Sequence, residues 1–262
     1  MNIFFFLFSG LLGAMIGSFL NVVLYRFGAS TIHKGRSICL SCGEKIKIRD
    51  LVPIFSYIFL RGKCSKCKTK ISPQYISIEI AMTILGLLIY LTIPNTISIL
   101  QIFSYIIYYS ILCAFLVTIA VYDYKHKIIP DEFSFSFAVL ALLGLFFTAA
   151  GVGVPSIWQL LAGPLLALPT TLIYLVSKGE WMGLGDSKLF LGIGWMLGLS
   201  LGFSAFVLSF WIGAIVSVAI LGLPGSKLRM KSQVPFAPFI IAATLFVFFT
   251  KVDVLGLSMF FK

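Results

Sequence analysis

Charged residues, and acidic ones above all, are scarce in this sequence. Only 11% of its 262 residues are charged, nine residues are acidic and two are histidine. A soluble domain averages roughly 25% charged and about 45–50% apolar residues. Here 60% of the residues are hydrophobic and the mean hydropathy is +1.06. These proportions exclude a soluble enzyme and a disordered tail, and they indicate a chain that lies mostly in lipid.

Long apolar stretches predict eight membrane-spanning helices. A helix needs about 20 apolar residues to cross the hydrocarbon core of a bilayer. The stretch 189–222 carries no charge and is too long for one span, and Gly198 and Gly202 offer a tight turn that would divide it. The eight predicted spans are 3–25, 76–93, 99–121, 133–150, 156–177, 189–201, 203–222 and 234–250.

Basic residues fall in alternate connections between these spans. The positive-inside rule places such connections in the cytoplasm, which puts both termini outside. The net charge of +11 is then explained by topology and by attraction to anionic lipid, so no nucleic-acid partner is required. Eighteen of the 20 lysines and arginines lie in the connections 26–75, 122–132, 178–188 and 223–233.

The predicted fold class is therefore an all-α polytopic membrane protein with about eight transmembrane helices. We predict three parts: a first transmembrane helix (1–25), a cytoplasmic tetracysteine domain (26–75) and a seven-helix membrane domain (76–262). The first helix lacks a basic segment before its apolar run and a clear cleavage site. It is therefore expected to be a retained span rather than a cleaved signal.

Four of the five cysteines form two CxxC pairs in the loop 26–75. Cys39 and Cys42 are followed, after 21 intervening residues, by Cys64 and Cys67. This spacing is typical of a tetrahedral zinc site, and disulfides are disfavoured in a cytosolic loop. A loop of about 50 residues builds little core, so the predicted zinc ion is its structural staple. Four thiolates leave no open position for a catalytic water.

Most of the nine acidic residues are expected to be solvated or structural. Asp131, which follows Pro130, is predicted to cap the fourth span. Glu79, near the start of the second span, is either a partner of the helix dipole or a functional group. Both histidines, His33 and His126, are expected to be solvated. The carboxylates predicted to lie at the solvated surface are Glu44, Asp50, Glu132, Glu180 and Asp253.

Two aspartates are predicted to lie at the same depth, at the cytoplasmic ends of different spans. Asp123 ends the third span, and Asp186 begins the sixth within Gly183-Leu184-Gly185-Asp186. Each taken singly is equally well explained as an interfacial cap. If helix packing brings them together, repulsion leaves a proton on one carboxyl while the other stays charged. The charged group can then activate water and the neutral one can polarise a carbonyl, which is the arrangement of an aspartic peptidase.

Several motifs, in their order and spacing, resemble those of the bacterial type IV prepilin peptidases, the bifunctional leader peptidase/N-methyltransferases. The resemblance covers nearly the whole chain. The motifs are Gly17-Ser18-Phe19-Leu20-Asn21-Val22-Val23 with Arg26, the two CxxC pairs, Val52-Pro53-Ile54-Phe55-Ser56-Tyr57, Arg61-Gly62-Lys63-Cys64, Asp123 with Ile129-Pro130-Asp131, Gly183-Leu184-Gly185-Asp186-Ser187-Lys188-Leu189, and Pro235-Phe236-Ala237-Pro238-Phe239.

The resemblance implies an aspartic endopeptidase of the bacterial inner membrane. Such enzymes cut the basic leader from prepilins and pseudopilins, the substrates of type IV pilus assembly and type II secretion, after a glycine on the cytoplasmic side. They then methylate the new N-terminal residue with S-adenosylmethionine. The resemblance places the catalytic aspartates on Asp123 and Asp186 and the zinc ligands on Cys39, Cys42, Cys64 and Cys67. It associates methyl transfer with the cytoplasmic domain, where Gly62 and Glu79 are the candidate residues.

Two alternative functions are a multi-span transporter and a membrane-tethered zinc-knuckle binding module. Acidic residues inside membranes often line the ion path of a transporter, but no acid here lies in mid-span and no half-to-half repeat is visible. A membrane-tethered zinc-knuckle module would use the basic loop to bind nucleic acid or partners, yet the loop charges are already explained by topology. A binding module would tolerate substitution of both Asp123 and Asp186, whereas a peptidase would not.

Overall fold

The computed structural model is mostly helical in the residues that it describes, and five of the helices there are long and apolar enough to cross a membrane. It describes residues 2–27, 37–39, 41–94, 98–148, 151–222, 234–254 and 256. One short antiparallel ribbon pairs Phe147–Thr148 (β1) with Gly151–Val152 (β2). The prediction of an all-α polytopic membrane protein is confirmed. His33 and the basic connection 223–233 lie outside the described residues.

Each of the eight predicted spans corresponds to a helix. A 3-10 turn, Ile48–Leu51, and one short helix lie between the first and second spans. The α-helices in the described residues are α1 (Ile3–Arg26), α2 (Phe55–Phe59), α3 (Pro73–Leu91), α4 (Ile99–His126), α5 (Asp131–Gly144), α6 (Ile157–Ser177), α7 (Leu184–Leu197), α8 (Leu199–Leu221) and α9 (Ala237–Thr250).

The long uncharged stretch divides into two helices, as predicted, but only one of the two glycines makes the turn. Gly198, with φ +78°, ends α7 and begins α8, a backbone conformation that glycine adopts without steric cost. Gly202 was wrongly expected to turn. It lies inside α8, where a Cβ would come within 2.9 Å of the Leu166 side chain, so its small size serves helix packing.

The chain forms two compact units, Met1–Ala114 and Phe115–Lys262, and α4 runs through the boundary between them. This boundary separates two groups of residues that pack mainly among themselves. The predicted division at residues 25 and 75, between membrane and loop parts, stays a prediction.

In the first unit, α1 and α3 pack through glycines. A Cβ added to Gly13 would lie 2.2 Å from the carbonyl oxygen of Met82, and one added to Gly86 would lie 2.2 Å from that of Ser9. The two backbones are therefore nearly in contact, which is how small residues allow close packing of membrane helices. This packing fixes the start of α3, from which Glu79 projects.

In the second unit, α6 and α7 are tied by a hydrogen bond that a proline makes necessary. Pro164 lies inside α6 and has no N–H to donate to the carbonyl of Leu160, one turn before it. The indole Nε1–H of Trp195, on α7, donates to that carbonyl at 2.9 Å. A carbonyl left unsatisfied in the helix is thus paired by the neighbouring helix, as backbone groups in a membrane require.

We expect Trp195→Phe to destabilise the second unit by about 1–2 kcal/mol, because the Leu160 carbonyl loses its donor while the apolar ring is largely kept. The measurement is the thermal unfolding midpoint of the protein in detergent. Trp211→Phe is the matched control, since the Trp211 side chain on α8 is 59% exposed. Equal midpoints for the two variants would contradict the stabilising role of the Trp195 bond.

Candidate active site and metal centre

The structure brings Asp123 and Asp186 together inside the second unit. Asp123 lies near the C-terminal end of α4, and Asp186 lies in the first turn of α7. They are only 5% and 8% exposed, and the charge of Asp123 acts on the Asp186 carboxyl. A buried pair of neighbouring carboxyls that repel one another is the arrangement that an aspartic peptidase needs.

A third element contributes to this pair. The backbone N–H of Ala237, the first residue of α9, donates to Oδ2 of Asp123 at 3.1 Å. Ala237 is fully buried, and the residue after it, Pro238, has no N–H to offer. The string Pro235-Phe236-Ala237-Pro238-Phe239 marked this segment in the sequence, but its chemistry gave no reason to expect a backbone donor for Asp123.

Glycines allow α7 to begin close to its neighbours. A Cβ on Gly185 would lie 2.8 Å from Cβ of Ile129, so a larger residue would push the first turn of α7 away. Gly183 is the N-cap of α7, and its carbonyl accepts the N–H of Asp186 at 3.3 Å. The two glycines of the GxGD string therefore set the position of the Asp186 backbone.

The two residues after Asp186 on α7 differ in their polar contacts. Ser187 is 5% exposed, and its buried hydroxyl has no hydrogen-bond partner among the described residues. Lys188 forms an ion pair with Asp131, 2.6 Å from Nζ to Oδ1. The prediction that Asp131 caps the fourth span was wrong, because the N-cap of α5 is Pro130 and the Asp131 side chain pairs across to α7 instead.

The four loop cysteines converge on one point, as their spacing predicted. Their sulfur atoms all lie within 4.8 Å of one another, so the group is able to hold a metal ion. The Sγ atoms of Cys39 and Cys67 are 3.7 Å apart, and all four thiols are free. A tetrahedral zinc ion with Zn–S bonds of about 2.3 Å places its sulfurs about 3.8 Å apart. The donor set and its spacing therefore fit zinc.

The two CxxC segments have the same local fold. In each, the N–H of the first cysteine donates five residues on, from Cys39 to Glu44 and from Cys64 to Thr69. The residue four positions after that cysteine has a positive φ, +69° at Gly43 and +59° at Lys68. An ion pair between Lys66 and Glu44 joins the two segments.

Hydrogen bonds favour the thiolate form that a metal requires. The Thr69 hydroxyl, and after it the Thr69 N–H, lower the pKa of the Cys67 thiol to about 6. The backbone N–H groups of Cys42 and Ser41 lower the pKa of Cys39. Cys42 differs: although the Glu44 N–H favours its thiolate, burial and the Cys67 and Cys39 sulfurs raise the pKa of Cys42 to about 11. Since only deprotonated thiols bind metal, the hydrogen bonds prepare Cys39 and Cys67 for it, and a bound metal ion would displace the proton of Cys42.

We expect Lys68→Gly to stabilise the metal-loaded loop by about 0.5–1 kcal/mol, because lysine is strained at positive φ and glycine is not. The measurement is the chelator concentration at which half of the bound metal is released. Lys70→Gly is the control, as Lys70 does not have a positive φ and pairs across to Lys63. Glycine should weaken the loop there, and a loss of the same size for Lys68→Gly would contradict the strain argument.

Glu79 and Gly62 both support the segment 54–57 of the first unit. Glu79 is 8% exposed, and its Oε2 accepts the N–H of Ile54 at 2.7 Å. Ile54 has φ +63°, a strained conformation for a β-branched residue. Gly62 has φ +65°, and a Cβ there would lie 2.9 Å from the Tyr57 hydroxyl. Glu79 therefore supports the turn before α2, and Gly62 allows close packing against α2.

Two carboxylates expected at the solvated surface are in fact enclosed. Asp253 accepts the hydroxyls of Ser200 and Ser204 at 2.8 and 3.2 Å. The side chain of Asp50 is only 10% exposed, and its Oδ2 has no partner among the described residues. Loop position alone predicted exposure, and tertiary contacts overrode it. The same expectation is confirmed for Glu44, Glu132, Glu180 and His126, which are exposed.

Comparison with known proteins identifies relatives along most of the chain. Residues 11–93 match the Bacterial Peptidase A24 N-terminal domain, and residues 110–218 match the Type IV leader peptidase family. The chain is similar to prepilin leader peptidase/N-methyltransferases from several bacteria. It is 27% identical to that of Dichelobacter nodosus, with 90% of this chain and 88% of the relative aligned.

Two further prepilin leader peptidase/N-methyltransferases support this assignment. The chain is 28% identical to the protein of Vibrio cholerae, with 95% of this chain and 97% of the relative aligned. It is 30% identical to the protein of Neisseria gonorrhoeae, with 73% and 74% aligned. No solved structure matches the chain significantly. Relatives of this similarity and coverage mean that the chain belongs to the type IV leader peptidase family.

Proposed function

We propose that this protein is a prepilin leader peptidase that cuts the basic leader from prepilins or pseudopilins after a glycine and then methylates the new N-terminal residue. The observation that carries the proposal is the buried pair Asp123 and Asp186 on two helices of a membrane protein. Prepilins present an apolar helix, which can dock against membrane spans. We place the cut at the cytoplasmic face of the inner membrane, because the basic connections flank both aspartates.

The two aspartates divide the work of peptide hydrolysis. The Ala237 N–H donates to Asp123, which favours the charged form of that carboxyl, so we assign Asp123 as the base and the neighbouring Asp186 as its protonated partner. Asp123 then takes a proton from water while the water oxygen attacks the scissile carbonyl, and Asp186 donates a hydrogen bond to the carbonyl oxygen. When the C–N bond breaks, the nitrogen leaves with a proton, and a carboxylic acid and an amine result.

The cytoplasmic segment 26–75 is proposed to hold zinc and to serve methyl transfer. Cys39, Cys42, Cys64 and Cys67 would hold the ion, which would staple the segment and leave no position for catalysis. S-adenosylmethionine supplies the methyl group when bound. The amine of the new N-terminal residue would receive that methyl group in place of one of its protons. Gly62 and Glu79 are proposed to support this second reaction.

The test is to incubate membranes containing the protein with a prepilin-like substrate and S-adenosylmethionine. Mass spectrometry of the product then reads both reactions. We expect a new N-terminus directly after the leader glycine, carrying the added mass of one methyl group. Cleavage without methylation would support the peptidase and remove the methyltransferase. No cleavage of any of several such substrates would overturn the proposal and favour a transporter or a binding module.

A further inference from the structure

A cavity of about 420 Å³ lies in the first unit, within the connection between α1 and α3. Small-ligand pockets commonly have volumes of about 300–1,000 Å³. The 3-10 turn, α2 and the second CxxC segment contribute its walls. The residues of the lining that matter for its chemistry are Arg49, Asp50, Val52, Phe55, Phe59 and Leu60.

One part of the lining is a buried charge without a full set of partners. The side chain of Asp50 is 10% exposed and forms an ion pair with Arg49, 3.6 Å from Nε to Oδ1. Its Oδ2 is buried and accepts no hydrogen bond from any described residue. A buried carboxylate oxygen normally has a donor, because an unpaired one costs free energy. A ligand with hydroxyl or ammonium donors would supply it.

The rest of the lining is apolar and aromatic, and its large apolar side chains are unusually exposed to solvent. Phe55 is 63% exposed, Phe59 is 81% exposed and Val52 is 46% exposed. These side chains are not on the predicted spans, so lipid hydrocarbon does not account for their exposure. Aromatic faces stack on heterocycles and attract cations. The lining thus combines aromatic rings, one carboxylate and one guanidinium, with 77% of the Arg49 side chain accessible.

We infer that this cavity is the binding site for S-adenosylmethionine, an inference that rests on the proposed methyl transfer. The adenine ring and the sulfonium cation suit Phe55 and Phe59. The ribose hydroxyls or the α-ammonium suit Asp50, and the α-carboxylate suits Arg49. Each part of the ligand therefore has a side chain of matching chemistry in the lining.

The strained turn beside the cavity gives Glu79 a positioning role in this site. Ile54 lies between Val52 and Phe55, both of which line the cavity. Ile54 has a positive φ, and its N–H donates a hydrogen bond to Oε2 of Glu79 at 2.7 Å. Glu79 thus affects ligand binding indirectly, by fixing the Ile54 backbone between two lining residues. This role needs only an acceptor oxygen. Glu79→Gln should therefore keep ligand affinity, and Glu79→Ala should lose it.

The test measures ligand binding directly, with purified full-length protein in detergent. Calorimetric titration gives the Kd for S-adenosylmethionine and for S-adenosylhomocysteine. We expect Asp50→Asn to weaken binding about ten-fold, the size of one hydrogen bond to a charged group, and Phe59→Ala to weaken it several-fold. Phe59 is largely exposed, so its removal does not disturb a core. The matched control is Glu180→Gln, an exposed carboxylate outside the cavity.

Crosslinking of radiolabelled S-adenosylmethionine by ultraviolet light, followed by peptide mapping, locates the bound ligand. We expect the label within residues 49–65, with zinc content unchanged in every variant. Wild-type binding that none of the cavity variants weakens, or a label elsewhere, would overturn this site and leave the methyl-transfer proposal standing. A wild type that binds neither ligand would remove the methyl-transfer proposal and this inference with it.

Discussion

Asp123→Asn and Asp186→Asn are each expected to lower leader cleavage by roughly 10³-fold or more, while the protein still inserts into the membrane. Asparagine keeps the shape of each side chain but can neither take a proton from water nor carry the negative charge that holds the pair in its mixed protonation state. Because the two carboxyls act as one unit, the double variant should be scarcely worse than either single one. The measurement is the initial rate of cleavage of a prepilin-like substrate by membranes with equal amounts of each variant.

The matched control is Asp131→Asn. Asp131 lies in the same unit as the pair and contacts Lys188, but its side chain is 61% exposed. An exposed ion pair contributes little, so cleavage should stay within a few-fold of the wild type. If Asp123→Asn or Asp186→Asn cleaves as fast as this control, the two carboxyls are interfacial caps and the peptidase site lies elsewhere.

Removal of the metal is expected to have the second large effect. Structural zinc contributes about 10–16 kcal/mol to the folding of small peptide domains. The segment 37–71 has little core of its own, so Cys64→Ser should lose both its zinc and its resistance to proteolysis. Methylation of the cleaved product should be lost with them. The measurements are zinc per chain by atomic absorption and the rate at which a protease cuts this segment.

The fifth cysteine provides the control for this experiment. Cys113 is fully buried in α4 and is not part of the cluster. Cys113→Ala should therefore keep one zinc per chain. Zinc retained in Cys64→Ser would refute the four-cysteine ligand set. Zinc lost with methylation retained would refute a role for the metal in methyl transfer.

The helices and the metal cluster were predictable because each depends on a pattern that is local in the chain. Apolar run length predicted all eight helices, and CxxC spacing predicted the convergence of the four cysteines, since two such pairs supply the four ligands of a tetrahedral ion. Helix ends were less predictable. The fourth span was expected to reach residue 150, but α5 ends at Gly144 and a two-residue strand follows. Apolar composition does not distinguish these two backbone conformations.

Contacts between distant segments were beyond prediction. No sequence pattern predicted that the Ala237 N–H would donate a hydrogen bond to Asp123, 114 residues away. The sequence likewise assigned Asp50 to the solvated surface, because a charged loop residue is normally hydrated, whereas the fold buries its side chain beside a cavity. The sequence does not decide whether Glu79 is a partner of the helix dipole or a functional group, and its hydrogen bond to Ile54 gives it a third role.

The sequence by itself determined that this protein is a multi-pass membrane protein, which four cysteines converge and which two aspartates are unusual. Those properties follow from composition and spacing, because the cost of placing charge in lipid and the geometry of a tetrahedral site apply to any fold. Tertiary structure alone decided that Asp123 and Asp186 meet, that α9 donates a hydrogen bond to one of them and that a cavity forms beside Ile54. These depend on how helices pack, which is set by glycine contacts such as Gly185 against Ile129 rather than by any local pattern.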